Sequence, residues 1–376
     1  MKEIALIGFV QTLFYALLLL FKKEKKIHDL LLTVFLLFVG AELLYRYLLL
    51  LGYETSARWL VMFDITYWAL FGPLTLFYIL TATGKADRLR PAYLLHLVPL
   101  FISLLSVSGF LGQSVQARSF IDYYNTATGV TRAGLLVWEY ASPLYLFYSL
   151  LLLRKHARLL KEQFSDISGR DIRWLMMLVA GFFTYCLLTY ALWVTVDFFT
   201  LDIRVSPLNV LPAVLTVYVF FMGFYGFRQG PILPAADIAG VASKHHPNRK
   251  YCKSGLREQE RKQLVTGLKT LMDDDKPYLD NDLTITDLAV RLNTNFHKLS
   301  QVINESLNQT FYDFVNTYRI EESKRLLQCP EAEKYTITAI AQDAGFTSKS
   351  AFYNAFRKQA GMTPGQYLER ARINAS

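Results

Sequence analysis

Seven stretches of about 20 apolar residues, the length a helix needs to cross a hydrocarbon core of about 30 Å, fill the first 227 residues of the chain. They span 4–21, 30–51, 59–82, 92–111, 135–153, 174–196 and 207–227. No water is present at that depth to satisfy backbone N–H and C=O groups, so helices are the form expected for all seven. The first block has no small-residue cleavage site and is followed by more of its kind, which reads as a retained span and not a removed leader. From Arg228 onward the character changes to polar, charged and helix-periodic. The overall hydrophobic content of 53%, above the 45–50% of ordinary soluble chains, averages two segments suited to different solvents.

Lys and Arg near the ends of the blocks give the direction of crossing, because positively charged connections stay in the cytoplasm. The loops after blocks one, three and five carry thirteen: Lys22, Lys23, Lys25 and Lys26, then Lys85, Arg88 and Arg90, then Arg154, Lys155, Arg158, Lys161, Arg170 and Arg173. The opposite side has five: Lys2, Arg58, Arg118, Arg132 and Arg204. The amino terminus is therefore expected outside and the polar tail inside, where a bacterium keeps its chromosome.

Ionisable residues within spans are costly and mark candidate sites. Glu42 and Arg46 share one face of the second block, and Asp64, Glu139 and Asp197 lie towards the outer ends of the third, fifth and sixth. All five fall in the outer half of the bundle. They can line a pocket for an unknown ligand, or Glu42 and Arg46 can form a structural pair beside interfacial acids. Pro73, Pro99, Pro143 and Pro212 are expected to interrupt four helices. Block seven lacks lysine, so a retinal Schiff base has no anchor.

A Pro/Ala-rich connector, "GPILPAADIAG", leads into a basic run with eight Lys or Arg and two Glu between Lys244 and Lys269. A basic segment just inside a membrane is drawn to anionic headgroups; it can equally track a DNA backbone. Within "REQERKQLVTGLKTLMDDD", Leu264, Val265, Leu268, Leu271 and Met272 recur at helical spacing. This amphipathic helix either packs on the domain C-terminal to it or couples and dimerises chains.

From Asp282 a pattern appears twice. "LTITDLAVRLNTNFHKLSQVINESLNQTF" and "YTITAIAQDAGFTSKSAFYNAFRKQAGMTP" each have a TIT start, a short helix with an alanine for close packing, a tight turn and a second amphipathic helix. Thr284 to Asp287 fits a capping box, Gly345 suits a turn, and Ser348 suits an N-cap. Such a pair of helices is a helix-turn-helix, whose second helix enters the major groove. Between the two lies "FYDFVNTYRIEESKRLLQ", 311–328. As a helix it would span about 27 Å, of the order of the 34 Å between successive major-groove faces.

The doubled unit, the "YRIEESKRLL" connecting helix and the "IAQDAGFTSKSAFYNAFRKQAGMTPGQYLER" ending closely resemble the AraC/XylS-type DNA-binding domain of bacterial transcriptional regulators, some of which are membrane-bound. The resemblance covers 273–372. It implies base-facing positions at His297, Ser300 and Gln301 in the first reading helix, and at Lys349, Ser350 and Asn354 in the second. Gln and Asn can pair bidentately with adenine, and Lys donates to guanine or phosphate. Lys298, the first reading helix's one Lys or Arg, joins the candidate set, with Arg357 and Lys358 as phosphate contacts. Residues 273–376 hold twelve Lys or Arg and fourteen Asp or Glu. Such a mildly acidic module is expected to bind DNA weakly alone.

The expected fold is all-α: a seven-helix transmembrane bundle (1–227), a basic linker and coupling helix (228–272), and an AraC-like domain with two helix-turn-helix units (273–376). The expected function is a membrane-bound, sequence-specific transcription regulator in the bacterial inner membrane that couples a membrane or extracytoplasmic signal to promoter DNA. Its partners are the bilayer, an unknown ligand and a second copy through the coupling helix. A transporter or receptor with a regulatory helix-turn-helix tail is the alternative. No paired nucleophile and base, metal cluster or phosphate loop indicates an enzyme or a cofactor, and Cys186, Cys252 and Cys329 have no zinc spacing.

Overall fold

The computed structural model describes residues 2–23, 27–51, 59–84, 91–112, 127–167, 172–199, 211–228, 258–329 and 335–375. Among them no strand occurs; one isolated antiparallel bridge joins Phe164 to Thr284. The chain divides into two compact units, Met1–Arg154 with Ile172–Pro234, and Lys155–Asp171 with Ala235–Ser376. The Pro/Ala-rich connector and most of the basic run lie outside the described residues.

The first unit contains α1 (Lys2–Leu20), α2 (Ile27–Leu50), α3 (Trp59–Ala82), a 3-10 helix (Pro91–Leu97) running into α4 (Val98–Gly112), α5 (Gly129–Gln163), α6 (Arg173–Phe199) and α7 (Leu211–Arg228). Each apolar block is thus represented by a helix. Where seven spans are expected, three helices among the described residues, α1, α2 and α5, are long and apolar enough to cross a membrane by length and composition. The other four blocks contribute shorter apolar helices, Trp68–Ala82, Pro91–Ser106, Arg173–Leu188 and Pro212–Tyr225. In block four the apolar run is shared between a 3-10 and an α segment.

Small residues let these helices approach closely. A Cβ on Gly8 would fall 2.3 Å from Thr216 Oγ1, and one on Gly40 2.3 Å from Thr12 Oγ1. Large apolar side chains such as Ile7, Val10, Phe14 and Leu17 point outward instead. Only two of the four prolines interrupt helices. Pro73 and Pro143 lie inside α3 and α5, whereas Pro99 and Pro212 occupy the second positions of α4 and α7. There the missing N–H has no intrahelical acceptor to lose. Next to Pro73, the Ser142 hydroxyl donates to Trp68 O and accepts from Gly72 N–H at 3.1 Å. A side chain inserted into the helical ladder is a recognised cause of a bend.

The second unit contains the end of α5 from Lys155, then α8 (Glu258–Asp274), α9 (Ile285–Arg291), α10 (Phe296–Ser306), α11 (Phe311–Gln328), α12 (Ile337–Asp343), α13 (Lys349–Ala360) and α14 (Pro364–Ala375). Two cores divide it. The first gathers Leu268 and Met272 of α8 with Leu283, Ile285, Leu288, Leu299, Ile303, Phe311, Phe314 and Val315. The second gathers Ile320 and Leu327 of α11 with Ile340, Ala341, Ala344, Phe346, Phe352, Ala355 and Phe356. The helix read from sequence as a coupler therefore packs its apolar face on the first helix-turn-helix, with Leu271 also against that core. Helix α11 spans both cores.

The turns of the two units are built alike. Thr294 N–H reaches Ala289 O at 2.9 Å, and Phe346 N–H reaches Ala341 O at 2.9 Å. The left-handed residue is Asn293 (φ 49) in one and Gly345 (φ 90) in the other. Glycine is required in the second because a Cβ would fall 2.5 Å from Tyr278 O. At Gly361, φ is 70 and nothing lies within 4 Å of such a Cβ. Gly345→Ala is thus expected to destabilise the second unit by about 2 kcal/mol or more, and Gly361→Ala by only about 1 kcal/mol. Pulse proteolysis of the full-length protein across a urea series measures both.

Candidate nucleic-acid interface

Both candidate reading helices begin at a side-chain cap. Asn295 Oδ1 accepts from Lys298 N–H at 2.8 Å, and Ser348 Oγ accepts from Ala351 N–H at 3.1 Å. The helices before them start at Thr284, whose capping box with Asp287 is complete, and at Thr336. Each cap satisfies N–H groups that a helix start leaves orphaned.

The cap residues put α10 and α13 in register, Asn295 opposite Ser348. In that register His297 corresponds to Ser350, and Gln301 to Asn354. Inward positions correspond equally well: Leu299 and Ile303 with Phe352 and Phe356, all buried. On α13, Lys349, Ser350, Asn354, Arg357 and Lys358 are all exposed. Lys349 Nζ lies 5.5 Å from the centre of the Tyr353 ring. Among the described residues no carboxylate pairs with Lys349 or Arg357.

On α10 the candidate side chains are engaged by neighbours. Lys298 corresponds to the inward-leaning Ala351, and its Nζ sits 2.5 Å from Glu260 Oε1 of α8. Gln301 Nε2 donates to Glu305 at 3.1 Å, and Asn304 Nδ2 donates to Ser300 O at 2.9 Å. Glu305, which also pairs with Arg261 at 3.2 Å, occupies the place that Lys358 holds on α13. His297 is exposed against the Phe296 ring, and partial burial lowers its pKa from the ordinary value, favouring the neutral ring. A neutral imidazole keeps both a donor and an acceptor. The first helix thus presents hydrogen-bonding groups with little net charge, and the second presents cations.

Lys358 reaches back to Asp313 of α11 at 2.7 Å. Burial raises the Asp313 pKa, but hydrogen bonds from Lys358 and Thr310 outweigh it and hold the carboxyl below its ordinary value. A lowered folded-state pKa contributes stability above the unfolded pKa, and that stability is lost as pH falls through the folded value. The second unit's unfolding midpoint is therefore expected to drop below about pH 4. In Asp313→Asn that part of the pH dependence should flatten, as followed by hydrogen exchange of α11 in the full chain.

The five candidate sensor residues belong to the first unit. Glu42 and Arg46 form an ion pair at 2.7 Å with Glu42 buried, and Arg46 lies 5.3 Å from the Tyr45 ring centre. Glu139 is half-buried. The side chains of Asp64 and Asp197 lie outside the described residues. A cavity of about 30 Å³ lined by Leu32, Phe35, Thr75, Tyr78, Leu178 and Tyr218, among others, includes none of the five.

One residue of the site was not singled out from sequence. Arg319, within "YRIEESKRLL", is 1% exposed. Its Nε donates to Tyr278 O and its Nη2 to Asp280 O, both at 2.7 Å. Burial pushes its pKa down to about 10. Its partners lie far away in sequence, so helical spacing alone could mark it only as an inward-facing cation.

Residues 288–370 match a family model described as a helix-turn-helix domain. The chain is 34% identical over 88 residues to the melibiose operon regulatory protein of Escherichia coli, covering 23% of this chain and 28% of that protein. It is 34% identical over 90 residues to an uncharacterised HTH-type transcriptional regulator of Staphylococcus aureus, covering 24% of this chain and 12% of that protein. The chain thus spans only about an eighth to a quarter of the length of these relatives. A solved protein from Listeria innocua, of unknown function, is 24% identical with a TM-score of 0.25, covering 28% of this chain and 94% of that one. The C-terminal part of the chain is a helix-turn-helix domain. The two relatives from Escherichia coli and Staphylococcus aureus are named as regulatory proteins.

Proposed function

We propose that the chain is a membrane-bound, sequence-specific transcription regulator: the apolar unit perceives a signal in or across the bilayer, and the helix-turn-helix unit binds promoter DNA. One observation carries this reading. Two capped helices with polar outer faces are fixed to a single strut, α11, in a chain whose other unit consists of helices apolar on their outward faces. Helix α10 would supply base choice through His297, Ser300 and Gln301. Helix α13 would supply both reading, through Lys349, Ser350 and Asn354, and phosphate contacts, through Arg357 and Lys358.

In this reading all seven apolar blocks cross the inner membrane of a bacterium, with the amino terminus outside and the C-terminal unit in the cytoplasm. The loop cations support that orientation. Glu42, Arg46, Asp64, Glu139 and Asp197 are the candidates for receiving a ligand from the outer side. A second copy of the chain would add affinity through effective concentration. If α8 mediates it, it must use the face away from Leu268 and Met272, which are buried in the first core.

The test is genome-wide DNA footprinting of the intact protein beside a Lys349→Ala, Asn354→Ala double variant. Discrete peaks for the parent and their loss in the variant are expected, with a fall in affinity of about tenfold or more. Both side chains are exposed, so folding should be unaffected. No peaks with either protein would refute the reading.

A further inference from the structure

Residues 164–166, Phe-Ser-Asp, directly follow α5 and belong to the second unit. Phe164 is 5% and Ser165 1% exposed. Phe164 forms the bridge to Thr284, the cap of α9, and Ser165 N–H donates to Leu283 O at 3.1 Å. Arg319 donates from Nη1 to Ser165 O and from Nη2 to Ser165 Oγ, each at 3.1 Å. The Thr347 hydroxyl donates to the Asp166 carboxylate. One tripeptide therefore touches the entry to the first helix-turn-helix and the turn of the second, with Arg319 bonded to it from the strut between them.

The location of these contacts gives them a functional sign. Thr347 immediately precedes the cap of α13, and Thr284 is the cap of α9. Helix starts carry the positive end of the dipole and N–H groups suited to phosphate, and in helix-turn-helix proteins the first helix crosses the DNA backbone. At the start of α13, the Asp166 carboxylate beside Thr347 opposes a phosphate by charge and by volume. Arg319 makes the arrangement reversible. It donates two hydrogen bonds to the tripeptide and two to Tyr278 and Asp280. Withdrawal of residues 164–166 would leave the guanidinium anchored but with donors open to an anion, the geometry in which Arg binds phosphate well.

Resting on the reading of the second unit as a DNA binder, we propose that residues 164–166 are an internal latch. Docked on Arg319, Leu283 and Thr347, they hold the reading unit in a low-affinity state, and their release opens the start of α13 and the Arg319 guanidinium to the DNA backbone. Helix α5 extends from Gly129 to Gln163 with Pro143 inside it, so the latch comes directly after a helix whose first part belongs to the apolar unit. A displacement of that helix along its axis would act on the latch through covalent continuity. Two arrangements of one short segment form the bistable element that a switch requires.

The test uses full-length protein in nanodiscs and a labelled random-sequence duplex at low salt. Asp166→Asn should raise affinity about tenfold, within the range typical of coupled sites. Glu162→Gln, which removes the same charge from a residue paired with Arg158, should leave affinity near that of the parent. In a chain with Cys252→Ser and Cys329→Ser, the pair Asp166→Cys and Thr347→Cys should cross-link on oxidation, as read by mass spectrometry. The oxidised form should then bind about tenfold more weakly than the reduced form. Failure to cross-link, or equal or tighter binding by the oxidised form, would overturn the latch while leaving DNA binding itself intact. Efficient cross-linking with no DNA binding by parent or reduced protein would instead refute the functional reading, and inhibition with it.

Discussion

Helix α11 belongs to two hydrophobic cores at once, and the geometry of the reading unit depends on that sharing. Phe311, Phe314 and Val315 complete the first core; Ile320 and Leu327 complete the second. Each helix-turn-helix alone buries only a few large side chains, too few for a stable domain of its own. Joined through one helix, the two cores fix α10 and α13 relative to each other as a consequence of packing. At the changeover sits Arg319, a buried cation that stitches the strut to the 278–280 segment by hydrogen bonds to backbone carbonyls. Burying such a charge is costly unless its donors are satisfied, which ties the position of that segment to the strut.

Much of this was legible in the sequence because it rests on local rules. The caps at Thr284 and Ser348, the glycine turn at 345, the 311–328 helix and the inward residues Leu299, Val302, Ile303, Phe352, Ala355 and Phe356 all follow from spacing and side-chain chemistry. The positions of the apolar helices were legible for the same reason. What spacing cannot give is which long-range partner a residue finds. Lys298 is a DNA-contact candidate because it is cationic and on the right helix, and its pairing with Glu260 of α8 could not be read from spacing. The loop after block five looked like a connection, yet the helix continues through Arg154, Lys155, Arg158 and Lys161 to Gln163. Likewise Pro99 and Pro212 looked like interruptions until the helix starts placed them in first turns.

The charge distribution differs between α10 and α13. Helix α13 shows Lys349 and Arg357 to solvent, while α10 has its one lysine paired and a glutamate where α13 has Lys358. In the proposed reading, phosphate attraction would concentrate on α13, and discrimination by neutral hydrogen-bonding groups on α10. Because cations on the unit are few, a DNA affinity resting on them would be sensitive to small electrostatic changes nearby. A single carboxylate such as Asp166, set beside the start of α13, is of the right size to matter.

Whether one chain both resides in the membrane and reads DNA is tested most directly by cross-linking cells with formaldehyde, washing the membrane fraction and sequencing the DNA that stays with the full-length protein. Discrete promoter fragments bound to intact protein are expected in that fraction. Recovery of DNA only with a soluble, truncated C-terminal fragment, or of none above background, would contradict membrane-tethered DNA reading.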